Sequence, residues 1–228
     1  MPNHTHRTHS SGSTRAGVLG ANDGILSIAG LMIGVAATHV DGAALFAAGI
    51  AGLVAGALSM AAGEFVSVSS QADIERADLE IERKALEVDY AGERAELRDI
   101  YIRRGLDPEL ADQVARQLMQ HDALGAHARD EIGITDALSA RPLQAALASM
   151  VSFAIGGIVP IVTAWLAPAA DVAAAMAVVS LLALAALGAI AAHAGGASIW
   201  RGAARVVIWG MATMAATSLI GHAIGVAG

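Results

Sequence analysis

Apolar residues run along this chain in five blocks, at roughly residues 16–39, 43–67, 143–166, 172–194 and 203–226. A helix needs about 20 residues to cross the hydrocarbon of a bilayer, so each block is predicted to be a membrane span. The polar breaks between them are uneven. Thr38–Asp41 joins the first pair and Pro168–Asp171 joins the third and fourth. A long polar segment, residues 68–141, separates the second block from the third. The pattern predicts an all-α membrane protein: a polar tail (1–15), spans one and two (16–67), a helical insert (68–141) and spans three to five (142–228).

Within the insert the periodicity is helical. Ser67–Glu87 contains neither Gly nor Pro and is rich in Ala, Leu, Glu, Arg and Lys, all good helix formers. The second span is therefore expected to continue as one helix from about Ala43 to about Val88, roughly 70 Å long. A second insert helix is expected over about Glu93–Arg104, stopped by Gly105. Asp107-Pro108-Glu109 carries cap and first-turn chemistry for a third, with Leu110, Val114 and Leu118 on one face. A fourth is expected over about Ala123–Leu138, with Ile132 and Leu138 along the membrane surface.

Charge sharpens this picture. Of the 21 acidic residues 17 lie in 68–141, with 10 of the 14 Lys and Arg, so the insert carries the whole net charge of −7. No basic footprint for nucleic acid exists. Lys and Arg stay on the cytoplasmic side of spans. An inside N-terminus puts all 14 of them in or beside residues 1–15, 68–141 and 195–205, and leaves the external turns and C-terminus without any. Five spans then put the C-terminus outside. Residues 1–14 are polar, so no secretory leader is expected there. His4, His6 and His9 sit in that tail. Cysteine is absent, which removes disulfides and thiolate chemistry.

Two groups of residues carry candidate chemistry. Asp23, in Gly20-Ala21-Asn22-Asp23-Gly24, is a carboxylate inside an apolar span, and such a group is expensive there. Met60 and Glu64 share the second span; a thioether and carboxylates suit a partly dehydrated transition metal. Asn22, His193 and His222 are weaker candidates. Gly156-Gly157 and Pro160 mark either a helix break or a packing kink in the third span. In the insert, Glu75, Asp78 and Glu82 fall at i, i+3 and i+7, Glu93 and Glu96 at i, i+3, and His127 and Glu131 at i, i+4. Residues so spaced share a helix face. Converging faces would give an oxygen-rich site with an imidazole, suited to Fe²⁺, Mn²⁺ or Zn²⁺. The plain alternative is a solvated surface with ion pairs such as Glu80–Lys84 and Glu82 with Arg83 or Lys84.

Gly-Ala-Asn-Asp-Gly in the first span, Gly-Ala-Leu-Ser-Met-Ala-Ala-Gly-Glu in the second and Ser-Val-Ser-Ser-Gln-Ala-Asp-Ile-Glu after it resemble the vacuolar iron transporter family. So do Ile-Tyr-Ile-Arg-Arg-Gly-Leu and Ala-His-Ala-Arg-Asp-Glu in the insert. The resemblance runs from about Arg15 to the C-terminus and looks like that of a bacterial member without the ferritin-like domain some relatives carry. It implies a homodimer in the bacterial inner membrane that moves Fe²⁺ or Mn²⁺ out of the cytosol in exchange for protons, a transporter and not an enzyme. By the same resemblance Asp23 and Met60 are pathway residues, and Glu82, Glu93, Glu96 and Glu131 bind metal. Zn²⁺ would bind such a site as a surrogate. Three positions depart from the family pattern. Ala85 stands where another metal-binding glutamate is expected, His127-Ala128 where plant members have a methionine pair, and Gly52 where they have an acid. Two rival functions are a membrane metal sensor and a di-iron oxidase. The latter would need paired Glu-x-x-His motifs, which are missing.

Overall fold

The computed structural model describes residues 11–134 and 140–227. His4, His6, His9 and Leu138 lie outside them. Among these residues seven α-helical segments follow in order: α1 Ser11–Ala36, α2 Gly42–Val88, α3 Tyr90–Arg103, α4 Pro108–His127 (kinked at Asp122), α5 Pro142–Leu166, α6 Val172–Ala194 and α7 Ile199–Ala227. A π-helical turn, Ala128–Ile132, continues α4, and a single 3₁₀ turn, Ala169–Asp171, precedes α6. Among the described residues there is no strand, and five helices (α1, α2, α5, α6 and α7) are long and apolar enough to cross a membrane. The chain divides into two compact units. One takes the residues through Glu64 and from Leu143 onward; the other is Phe65–Pro142.

The first unit is a bundle built on α1. Its buried residues Ile25, Ile28, Ala29 and Met32 recur at i, i+3, i+4 and i+7, the spacing of one helix face. Phe153 of α5, Met176 and Leu184 of α6 and Met214 of α7 complete the core. Small residues let the helices approach until backbones touch. A methyl group on Gly156 would overlap the Ala21 carbonyl, and one on Gly221 would overlap that of Gly34. The glycines of the third span are therefore packing points. Gly156, Gly157 and Pro160 are all buried within an unbroken α5. Likewise α1 runs through Asp23 without unwinding. The last span begins earlier than expected, at Ile199, so Arg201 and Arg205 belong to the first two turns of α7.

The second unit departs from expectation in three places. Asp89 caps α3, its carboxylate accepting the Gly92 N–H at 2.9 Å, so that helix starts at Tyr90. Asp107 caps α4 as expected, accepting the Leu110 N–H at 2.9 Å. The buried face of α4, however, is Ala111, Ala115 and Met119; Leu110 is exposed, and Val114 and Leu118 are half-buried. Small alanines let α4 lie close on Leu97 and Ile100 of α3. Finally, the fourth helix begins at Ala123 as expected but ends with the π-helical turn at Ile132. Asp122 leaves helical geometry (φ −160°, ψ 92°), its side chain caps the next turn through the Gly125 N–H at 2.9 Å, and the helix resumes to His127. The π-helical turn then ends at Gly133, whose φ of +84° suits glycine.

Candidate metal centre in the insert

Four segments bring side chains to one point: α2 with Glu82, the first turn of α3 with Glu93, the end of α4 with His127 and the π-helical turn with Glu131. One donor atom from each lies within 4.8 Å of all the others. The His127 Nδ1 is 2.9 Å from Glu131 Oε2, 3.0 Å from Glu82 Oε1 and 4.0 Å from Glu93 Oε2. His127 is fully buried, whereas 32% of the Glu131 side chain is exposed, so the site opens on the glutamate side. Among the described residues this is the group assembled for a cation.

Hydrogen bonding leaves the cluster unfinished. Nδ1 carries at most one proton, and its hydrogen bond goes to Glu131. The Glu82 Oε1, although close, is buried without a hydrogen-bond partner, as is His127 Nε2. Burial pushes the Glu82 carboxyl above the ordinary carboxylate value. The His127 imidazole opposes this, and the charges of Glu131, Glu93 and Glu96 add to it. Glu93 is raised in the same way, by burial first and then by Glu96. A cation among these oxygens would remove the repulsion and give the orphaned Oε1 a partner. The spacings suit one ion: ligands at about 2.1 Å in octahedral array stand roughly 3.0 Å apart when adjacent and 4.2 Å when opposite. Three carboxylates and an imidazole form a donor set for Mn²⁺, Fe²⁺ or Zn²⁺.

The remaining insert candidates lie apart from this point. Glu96 is exposed and acts on Glu82 and Glu93 through its charge. Asp78 is half-buried and outside the four-residue group. Glu75 accepts the Gln71 amide at 2.9 Å and the Ala140 N–H at 3.3 Å, and lines a separate cavity of about 720 Å³ with His121 and Arg129. The expected pairing of Glu82 with Arg83 or Lys84 does not form. Arg83 binds Glu80 and Glu87, and Lys84 binds Glu80, which leaves Glu82 to the buried side.

One supporting residue escapes sequence reasoning. Asp130, at 8% side-chain exposure, accepts the Tyr101 hydroxyl at 2.9 Å and Arg104 Nη1 at 2.5 Å, while Arg104 Nη2 donates to the Asp130 carbonyl at 3.1 Å. Burial acts to raise the Asp130 carboxyl, yet the bonds from Arg104, Tyr101 and Arg129 outweigh it and hold the group below its ordinary value. This clamp ties α3 to the turn that carries Glu131. Its members come from the two insert motifs, Ile-Tyr-Ile-Arg-Arg-Gly-Leu and Ala-His-Ala-Arg-Asp-Glu, so the recurrence of Tyr and Arg in one and Asp in the other was the available signal.

In the bundle, Asp23 is half-buried on α1 and accepts the Ser27 hydroxyl at 3.4 Å. The neighbouring Asn22 Oδ1 is buried without a partner. Met60 packs half-buried against the core, and Glu64 is half-buried near the end of the apolar part of α2. Arg15, a possible partner of Asp23, has no described side chain. His222 stacks edge-on against His39 at 6.1 Å between ring centroids.

The family model described as the VIT family matches residues 14–222, nearly the whole chain. The chain belongs to the VIT family. Every VIT candidate residue named above in the bundle and the insert lies within that match. The chain is also similar to a vacuolar iron transporter of Acanthamoeba castellanii, 48% identical over 131 residues, which are 57% of this chain and 50% of that protein. It thus spans about half the length of the curated relative that it matches.

Proposed function

We propose that this VIT-family protein transports divalent metal, Fe²⁺ or Mn²⁺, out of the cytosol in exchange for protons. The observation that carries the reading is the insert cluster, three carboxylates around a buried imidazole with an orphaned oxygen, in a chain with five apolar helices. The name of the Acanthamoeba relative supports iron as cargo. The distribution of Lys and Arg supports a cytosolic N-terminus and insert and an external C-terminus, in a cell membrane. The acidic insert collects the ion and raises its local concentration. Within the membrane Asp23 and Met60 bind it, with Asn22 beside them and Glu64 towards the cytosolic side. A bare carboxylate is expensive in lipid, so Asp23 holds either a metal ion or a proton. That competition is the physical basis of exchange. The working form is a homodimer, in which both subunits supply Asp23 and Met60.

The test is uptake of Fe²⁺ and of Mn²⁺, presented separately, into proteoliposomes with an imposed pH gradient, wild type beside Asp23→Asn. Gradient-driven uptake that the substitution abolishes, with the protein still folded, is the expected result. Unchanged uptake by Asp23→Asn would overturn the role of Asp23. No gradient-dependent uptake of either ion by folded wild type would move the function to the insert as a metal sensor.

A further inference from the structure

A second cavity, of about 740 Å³, lies in the bundle between α1, α6 and α7. This volume is in the range of small-molecule pockets, about 300–1,000 Å³. Most of its wall is apolar, with Val18, Leu19 and Val206 among the lining residues. Its charged lining is of one sign. Arg201 and Arg205, one helical turn apart at the start of α7, both face it, and neither forms an ion pair among the described residues. A guanidinium is charged at all working pH values. The first N–H groups of α7, which have no acceptor within the helix, add positive potential at the same end.

Two unpaired guanidiniums repel a divalent cation, and Asp23 is absent from the lining, so this space does not suit the metal cargo. Its chemistry is that of an anion with an apolar body. We propose that the cavity binds an anionic phospholipid, its headgroup phosphate held by Arg201 and Arg205. Arg forks match phosphate oxygens in pairs. The acyl chains would follow the apolar wall into the bilayer. Basic pockets between membrane helices on the cytoplasmic side are suited to such headgroups. Phosphatidylglycerol carries a net negative charge at its phosphate; phosphatidylcholine has the phosphate without a net charge.

The experiment is native mass spectrometry of the purified full chain, titrated with phosphatidylglycerol, phosphatidylcholine or inorganic phosphate. Wild type is expected to retain phosphatidylglycerol at least about tenfold better than phosphatidylcholine. The double variant Arg201→Gln/Arg205→Gln should lower that retention by about tenfold or more, given the usual contribution of each basic residue near a lipid surface. Arg201→Lys/Arg205→Lys keeps the charge and should keep the preference. Equal retention of the two lipids, or unaltered retention in the Gln variant, would overturn the proposal. So would displacement of the bound lipid by inorganic phosphate, which would make this a site for a free anion. Conversion of a dimer to a monomer by the Gln variant would overturn it in favour of a subunit contact. If the Gln variant does not fold, the comparison of lipids on wild type and on the Lys variant still decides.

Discussion

At the scale of single residues, Glu82 and His127 share a burial that neither tolerates alone. A buried carboxylate is costly unless protonated, paired or bound to a metal. Glu82→Gln imitates the protonated state, so the ion-free protein should fold with little change. Its affinity for Mn²⁺, followed by calorimetric titration, should fall at least about tenfold, since removing even supporting groups of metal sites costs 10–100-fold. Undiminished affinity would remove Glu82 from the site. Acidity should act in the same direction. Glu82 and Glu93 both titrate above the ordinary value of 4.5. A folded state that favours the protonated forms gains stability from them below 4.5 and loses it as pH rises through the raised values. A bound cation reverses that loss, because it replaces the protons. Mn²⁺ affinity should therefore start to weaken, on lowering the pH from neutral, while ordinary surface carboxylates are still ionised; calorimetry over a pH series checks this. The spacing of Glu82, Glu93, His127 and Glu131 made them legible as candidates. Glu75, with the same spacing, bonds to Gln71 and Ala140 instead. Spacing identifies a face, and only packing decides which turn of that face is enclosed.

Among the elements, the π-helical turn is the piece on which the candidate metal centre depends most. It widens the helix just after His127 and presents Glu131 to the imidazole, and extra residues in a helical turn recur at functional sites. Asp130 anchors it to α3 through Tyr101 and Arg104 without being one of the four grouped donors. Asp130→Asn should leave the helical circular-dichroism signal intact, lower metal affinity by about 10–100-fold and alter the visible spectrum of bound Co²⁺. An unaltered spectrum and affinity would show that the turn keeps its shape without the clamp. The span helices and the long α2 were readable because unbroken apolar or helix-forming runs dominate them. So was a new helix start at Ala123, but not the cap that makes it, because an aspartate within a helix-forming run looks like surface until its side chain is found accepting the Gly125 N–H. The inner face of α4 was misread for a related reason: Leu110 is larger than Ala111, but only alanine lets two helices come close enough to bury Leu97.

For the whole molecule, the uneven distribution of charge makes a prediction about sidedness. The natural chain has no cysteine, so single cysteines can be introduced as unique labels. Cysteines at Asp41 and Asp171 should react with an impermeant maleimide added outside intact cells, and one at Arg103 only after the membrane is opened. The reverse pattern would invert the proposed topology. The absence of cysteine has a second implication once joined to the geometry of the insert. The four donors span Glu82 to Glu131, and no disulfide is available to hold such distant parts of the chain together. An ion bound there would therefore serve as a reversible cross-link closing a long loop. Any ion that binds only the folded form stabilises it, by about 2.7 kcal/mol at a hundredfold excess over its dissociation constant. The insert would then be tightest when metal is abundant and loosest when metal is scarce. Its resistance to cellular proteases, and with it the lifetime of the protein, would then follow the concentration of the ion that the cluster binds.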